Sequence, residues 1–260
     1  MKGGTFVDQM QREVFISETP KRIVSLVPSQ TDLLNYLNLD DEVIGITKFC
    51  IHPKSWHQKK ERVGGTKNLN LERIVALKPD LIIGNKEENS QEEITSLSEQ
   101  FPVWMSDVNS VDDAVEMIKK LGAVLNRESQ CEDLTKAIVE SFKSLNVIGE
   151  GKSVLYFIWN EPRYVVGNST YIGSVLEELG FINHCTKDRY PDIEELSIDS
   201  PDYIFLSSEP YPFTDQHIGS FEEAFPHSKI ILVNGEFFSW YGSFMLKASK
   251  YFKNELYRQL

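Results

Sequence analysis

The stretch NLERIVALKPDLIIG, residues 70–84, decides how the rest of the chain is read. Leu71, Ile74, Val75 and Leu77 fall at helical spacing, and Pro79 ends the pattern, because a residue before proline avoids helical angles. Asp80 then leads into a short apolar run of the kind that forms a buried strand. A helix, a Pro-Asp step and a strand are expected here. The stretch DIEELSIDSPDYIFL, residues 192–206, aligns with it without a gap and carries Pro201 and Asp202 at the same step. An αβ unit repeated this way predicts two lobes of similar architecture, each with its own sheet.

Around the first copy, RIVSLV (22–27), EVIGIT (42–47) and VWMSDV (103–108) read as further strands. TDLLNYLNL (31–39) and SQEEITSLSEQ (90–100) read as helices, the second opened by a Ser90–Glu93 capping box. Around the second copy, SVLYFIW (153–159), YVVG (164–167) and KIILVN (229–234) read as strands, and DYIFLS (202–207) is the strand of the copy itself. STYIGSVLEELG (169–180), DIEELSID (192–199) and GSFMLKASKYFKNEL (242–256) read as helices, with Gly180 as a stop. Such alternation predicts an α/β protein with mainly parallel sheets. Residues 110–126 and 129–146 are helical stretches with almost no loop between them. In the second, Ser129 and Glu132 form a capping box, and Leu134, Ile138, Phe142 and Leu145 make one apolar stripe. The expected organisation is a lobe over 1–126, a stiff connecting helix over 127–148 and a lobe over 149–260. Lobes so joined should move little against each other.

The chain has 260 residues, 41% of them hydrophobic, so core material is ample. Its 27 Lys and Arg against 39 Asp and Glu leave a net charge of -12, which argues against a nucleic-acid partner. Apolar runs are too short to span a membrane, and the first residues lack the apolar core of a secretory signal. As written, the chain reads as a cytoplasmic monomer; a leader trimmed from it would make it extracytoplasmic. Cys50, Cys131 and Cys185 are scattered and form no disulfide framework. Cys131 reads as a buried apolar residue, and Cys185, beside His184, as a loop thiol at most.

RIVSLVPSQTDLL, GGTKNLNLERIVALKPDLIIG and the central helix together resemble the class III substrate-binding proteins of ABC importers, the helical-backbone metal receptors. IWNEPRYVVGNSTYIGSVLEELGF, LSSEPYPF and GEFFSWYGS look like the cobalamin-binding-like branch. The resemblance runs from about residue 21 to 251. It implies two Rossmann-like lobes, a rigid connecting helix and a metal-chelate ligand held in a cleft between them, with no cofactor required. The ligand it implies is a corrinoid, haem or ferric siderophore. It also implies an acid on each lobe that meets arginines of a membrane permease, at Asp32 and Glu177. Asp32 stands where glutamate is usual.

FCIHPKSWH (49–57) follows a predicted strand, where ligands of open α/β sheets bind. An extended backbone would point Cys50 and His52 to one side, as two soft metal ligands, an axial ligand, or two polar loop residues. His57 would add a third, although Pro53 breaks the geometry between. Lys67 after GGT is expected to face a ligand. On the second lobe Trp159, Glu161 and Arg163 follow one predicted strand, Glu209 and Tyr211 another, and Trp240 and Tyr241 a third. Small-molecule clefts pair aromatic walls with a few fixed polar groups, and these loops fit that pattern. Arg163 and Arg189, with Tyr190 beside the latter, would hold ligand carboxylates in bidentate fashion. Binding without chemistry is the main reading. The rivals are a cytoplasmic sensor or chaperone, and a metal-dependent enzyme using Cys50, His52 and Glu209. GxSxG, Walker and GxGxxG motifs do not occur in the chain.

Overall fold

A computed structural model describes residues 2–196 and 199–260. It opens with an antiparallel hairpin, β1 (Lys2–Val7) and β2 (Glu13–Glu18), which the sequence reading did not anticipate. The hairpin is organised around Asp8, a fully buried acid at its turn. Its carboxylate accepts the backbone N–H groups of Met10 and Arg12, both at 2.9 Å, and the Arg12 guanidinium at 2.8 Å. A buried charge so surrounded is compensated.

A parallel sheet follows, formed by β3 (Ile23–Ser25), β4 (Val43–Ile46), β5 (Glu61–Arg62), β6 (Leu81–Asn85) and β7 (Val103–Ser106), in the order β5-β4-β3-β6-β7. Between its strands run α1 (Pro28–Tyr36), α2 (Lys54–Lys59), α3 (Leu71–Leu77) and α4 (Gln91–Ser98). Ile74 of α3 and Ile94 and Leu97 of α4 pack with Val24, Ile82 and Met105 of the sheet. Ser90 is the N-cap of α4, but its hydroxyl makes no capping bond; Glu93 instead accepts the backbone N–H of Leu69 at 3.0 Å.

α5 (Val111–Leu125) and α6 (Glu128–Phe142) carry the chain onward. α6 starts at Glu128, so Ser129 lies inside it and caps nothing; the break is made by Asn126 in the left-handed region (φ 55°). The expected stripe of Leu134, Ile138, Phe142 and Leu145 is buried, though the helix stops at Phe142.

The second sheet contains β8 (Ser153–Phe157), β9 (Ile182–Asn183), β10 (Tyr203–Ser207) and β11 (Lys229–Val233), all parallel in the order β11-β10-β8-β9. With it come α7 (Tyr171–Glu178), α8 (Asp215–Ala224), α9 (Gly235–Ser239), α10 (Met245–Tyr251), a π-helical turn at Phe252–Leu256 and α11 (Tyr257–Gln259). Gly180 has φ +79° just past α7, the conformation expected of a helix stop. YVVG forms no strand: Tyr164 and Val165 make only single bridges to Asp192 and Phe157. The helix expected over 192–199 is one 3-10 turn, Ile193–Glu195, and residues 197 and 198 of that expectation lie outside the described residues.

The chain divides into two compact units, each holding one parallel sheet. One comprises residues up to 108, 112–136 and 241–244; the other comprises 109–111, 137–240 and 245–260. α6 passes from one unit to the other at 136/137.

Candidate functional site

In the first unit the loops at the carboxyl ends of the strands rest on buried polar side chains. Strand order reverses between β3 and β6, the position at which open α/β sheets bind ligands. There Gln30 of α1, fully buried, donates to Ser106 Oγ at 2.6 Å and to the Gly84 carbonyl at 3.2 Å. Asn85 Nδ2 donates to the same Ser106 Oγ at 2.9 Å. Tyr241 is buried in this unit, and burial pushes its phenol above the ordinary range. The sequence reading missed Gln30, Asn85 and Ser106. A signal was present, since β3, β6, β7 and β10 are apolar runs that each close on a Ser or Asn.

FCIHPKSWH follows β4, as expected, but Cys50 does not lie on its surface. The thiol is fully buried, with Thr31 Oγ1 at 3.1 Å and Thr47 Oγ1 at 3.2 Å, and burial pushes its pKa up. The extended backbone expected from Cys50 to His52 is instead a turn, with the Ile51 N–H on the Phe49 carbonyl at 2.9 Å, and His52 is half-buried 6.3 Å from the Phe244 ring. His57 Nδ1 binds the Cys50 carbonyl oxygen at 3.2 Å. Among the described residues no three His, Cys, Asp or Glu side chains gather to hold a metal ion. Lys67 lays its ammonium on the carbonyl oxygens of Glu87 and Asn89. Asp32 is not on a solvated helix face: it is 5% exposed and accepts the Ser243 hydroxyl at 2.6 Å. Cys131 is a buried core thiol, as read.

In the second unit three strand-end loops meet. After β8, the exposed Trp159 packs edge-on against Tyr211 of the loop after β10, with ring centroids 5.7 Å apart. Tyr211 Oη lies 3.0 Å from His217 Nε2. His217 Nδ1 accepts the Thr214 backbone N–H at 3.0 Å, so the neutral ring carries its proton on Nε2 and donates it to the phenol oxygen. Glu209 joins the β10 and β11 loops: its Oε1 accepts the Ser239 hydroxyl at 2.5 Å, and Trp240 also hydrogen-bonds it. Burial raises the Glu209 carboxyl above its usual range, and those two bonds oppose the rise. Trp240 is 7% exposed, so most of its indole is already packed.

The remaining residues fall elsewhere. Glu161 is exposed, and its carbonyl accepts the Trp159 indole N–H at 3.2 Å. Arg163 stacks its guanidinium on Phe221, 4.3 Å from the ring centroid. That cation–π contact serves the core of α8 rather than a bidentate carboxylate clamp. Arg189 is exposed and left-handed (φ 64°), donates to Asn109 and Ser169, and lies over Tyr190. Cys185 is buried, and His184 pairs with Asp199 at 3.2 Å. Glu177 is exposed on α7.

A family model described as periplasmic binding protein matches residues 23–224. An uncharacterized ABC transporter substrate-binding lipoprotein of Bacillus subtilis is 29% identical over 183 residues, 66% of this chain and 58% of that protein. The chain thus spans little more than half the length of that relative. A vitamin B12-binding protein of Pectobacterium carotovorum is 24% identical over 247 residues, covering 91% of this chain and 88% of its own. Among solved structures, a periplasmic heme binding protein from Pseudomonas aeruginosa superposes with a TM-score of 0.76 at 18% identity, over 92% of this chain and 93% of that one.

Proposed function

We propose, since the chain belongs to the periplasmic binding protein family, that it is the substrate-binding component of an ABC importer. Its cargo is a metal chelate, a corrinoid, haem or ferric siderophore, taken up and released unchanged. One observation carries the reading: the loops after β8, β10 and β11 meet in an aromatic and acidic cluster built on Trp159, Tyr211, Glu209 and Trp240. Such a cluster on rigid strand ends offers a stacking surface and a fixed acceptor, which is what a small-molecule site requires.

Binding without chemistry agrees with the state of the reactive groups. A nucleophilic cysteine needs an accessible thiolate, whereas Cys50 is buried and held protonated by its surroundings. The Glu209 carboxylate is already engaged by the Ser239 hydroxyl. The importer role places the chain outside the cytoplasmic membrane, and no described helix is long and apolar enough to cross one. For a permease contact Glu177, exposed, is the better-placed acid; Asp32 is turned onto Ser243.

Absorption titration with cyanocobalamin, haemin and ferric siderophores tests the proposal. Saturable binding of one class is expected, and mass spectrometry should recover that ligand intact. Trp159→Ala should weaken binding by about thirtyfold, the loss of a stacked indole worth ~2 kcal/mol. No saturable binding to any of them would overturn the reading.

A further inference from the structure

The chain has a net charge of -12, yet residues 48–67 hold Lys48, Lys54, Lys59, Lys60, Arg62 and Lys67 against Glu61 alone. Lys48 and Lys54 follow β4 and Lys67 follows β5, at the carboxyl edge of the first sheet, whereas Lys59 and Lys60 lie at the far end of α2 and Arg62 within β5. Two are engaged elsewhere: Lys60 pairs with Asp40, and Arg62 donates to the His57 carbonyl. Lys67 rests on backbone oxygens, which do not cancel its charge. Among the described residues Lys48, Lys54 and Lys59 make no ion pair. Glu87 and Glu88, after β6, are the acids facing this loop, and Glu88 acts on the Cys50 thiol. The balance of the loop remains positive.

The same loop presents two large apolar side chains to solvent, Phe49 at 50% exposure and Ile51 at 43%. It is held in place from several sides. Cys50 is anchored beneath by Thr31 and Thr47, its carbonyl is bound by His57, and Lys48 N–H donates to the Gly64 carbonyl at 2.8 Å. Gly64 is at φ +105°, where side chains are strained, and a Cβ on Gly65 would lie 3.3 Å from the Phe49 ring and 3.4 Å from the Lys48 chain. The two glycines therefore form a shelf against which Phe49 and Lys48 lie. The Lys48 ammonium sits 5.0 Å from the Phe49 ring centroid. Apolar side chains that are exposed and yet held still mark a surface made to be covered.

We infer that the 48–51 tip is a ligand-reading element selecting an anionic chelate with a flat apolar face. The face lies on Phe49 and Ile51, and Lys48, with Lys67 on the adjoining turn, meets the ligand's negative charge. This deepens the binding function proposed above and rests on it. The shared chemistry is a rigid aromatic surface edged by negative oxygens, which carboxylated metalloporphyrins and ferric catecholates both supply. A corrinoid dressed with neutral amides does not match it. In a strongly acidic protein a local cationic loop also draws an anion toward one place on the surface.

The experiment titrates wild type, the Phe49→Ser/Ile51→Ser double variant and Lys48→Gln. The ligands are haemin, a ferric tris-catecholate, neutral cyanocobalamin and cationic ferrioxamine B, each at low and high salt. Circular dichroism confirms that the variants fold, which the exposure of all three side chains favours. Haemin or the catecholate should bind at least tenfold tighter than the other two, and which of them wins identifies the source of the anion. The double variant should lose about tenfold in affinity, and Lys48→Gln should lose a few fold and flatten the salt dependence. Tightest binding of cyanocobalamin or ferrioxamine, or a double variant with wild-type affinity, overturns this inference and leaves the binding function standing. Binding of none of the four overturns both.

Discussion

The two Pro-Asp units show which parts of a repeated sequence fold alike and which do not. Both place a five-residue strand after the proline, β6 and β10. Asp80 accepts the backbone N–H groups of Lys21 and Arg22 at 2.8 and 2.9 Å, just before β3. Asp202 accepts the N–H and hydroxyl of Ser153, both at 2.8 Å, at the start of β8. In each unit the aspartate ties its strand to the start of the neighbouring one. Both copies also begin with a cap: Asn70 accepts from Arg73 at 2.9 Å and Asp192 from Glu194 at 3.0 Å. Beyond the cap the copies diverge. The first continues into α3 and the second stops after a single 3-10 turn. Leu77, the second-turn anchor of α3, lies over Gly45 of β4; its aligned counterpart is Asp199, exposed and paired with His184. A cap starts a helix, but an apolar second turn keeps it.

The largest test of that difference is in the anchors. Ile74 is fully buried, while its counterpart Leu196 is partly buried at the edge of the second core. Ile74→Ala should cost about 3 kcal/mol and Leu196→Ala about half that, read as urea midpoints. Equal costs would mean that the 3-10 turn is as well packed as the helix.

Next come the carboxylates at the two ends of β10. Hydrogen bonds from Ser153, then the Lys152 ammonium, hold the Asp202 carboxyl below its ordinary value of 3.8. Its contribution is complete above that value and is lost as pH falls through the lower folded one. Asp202→Asn should therefore cost about 1 kcal/mol at pH 7, at the low end for charge-assisted bonds because the group is exposed, and converge on wild type in strong acid. Glu209 has the opposite sign. Burial raises it above 4.5, so the penalty of its charge is absent below that value and grows as pH rises through the higher folded one. Glu209→Gln should match wild type in acid and equal or exceed its stability at neutral pH. A loss at neutral pH would show that the Ser239 bond requires the charge.

The smallest effect is at Lys78, which ends α3 in the left-handed region at φ 48°. Lys78→Gly should stabilise by about 0.5 kcal/mol, because glycine adopts that conformation without strain. Ser200, its counterpart, has no such conformation, and Ser200→Gly should give no gain.

The longer parallel strands were legible because buried strands are short β-branched runs between turn residues; the two-residue strands β5 and β9 carry too little pattern and were not. The hairpin β1–β2 was not: among the described residues its buried apolar side chains are Val14 and Ile16, and Asp8, which organises it, is a polar letter with no pattern around it. YVVG misled because β-branched composition does not supply a partner strand. That the loops after β8, β10 and β11 lie at the carboxyl ends of parallel strands was legible from their position after predicted strands. The direction of a side chain was not readable. Cys50 and Arg163 are chemically suited to a ligand, yet the thiol turns to two threonines and the guanidinium to a phenylalanine. Spacing in sequence does not set rotamers within a turn.

The segment 241–244 is grouped with the first unit, while the chain on either side of it lies in the second. Gly242 packs against Leu33, and Ser243 supplies the hydroxyl for Asp32 across 211 positions of sequence. During synthesis the amino-terminal half therefore leaves the ribosome with its first helix unfinished. Asp32 is without that hydroxyl until a residue 211 positions later has been made. Maturation of the first unit is thus tied to a segment translated long after its own strands, and a nascent chain stalled before 241 presents that unit without its Ser243 partner however long it is given to fold.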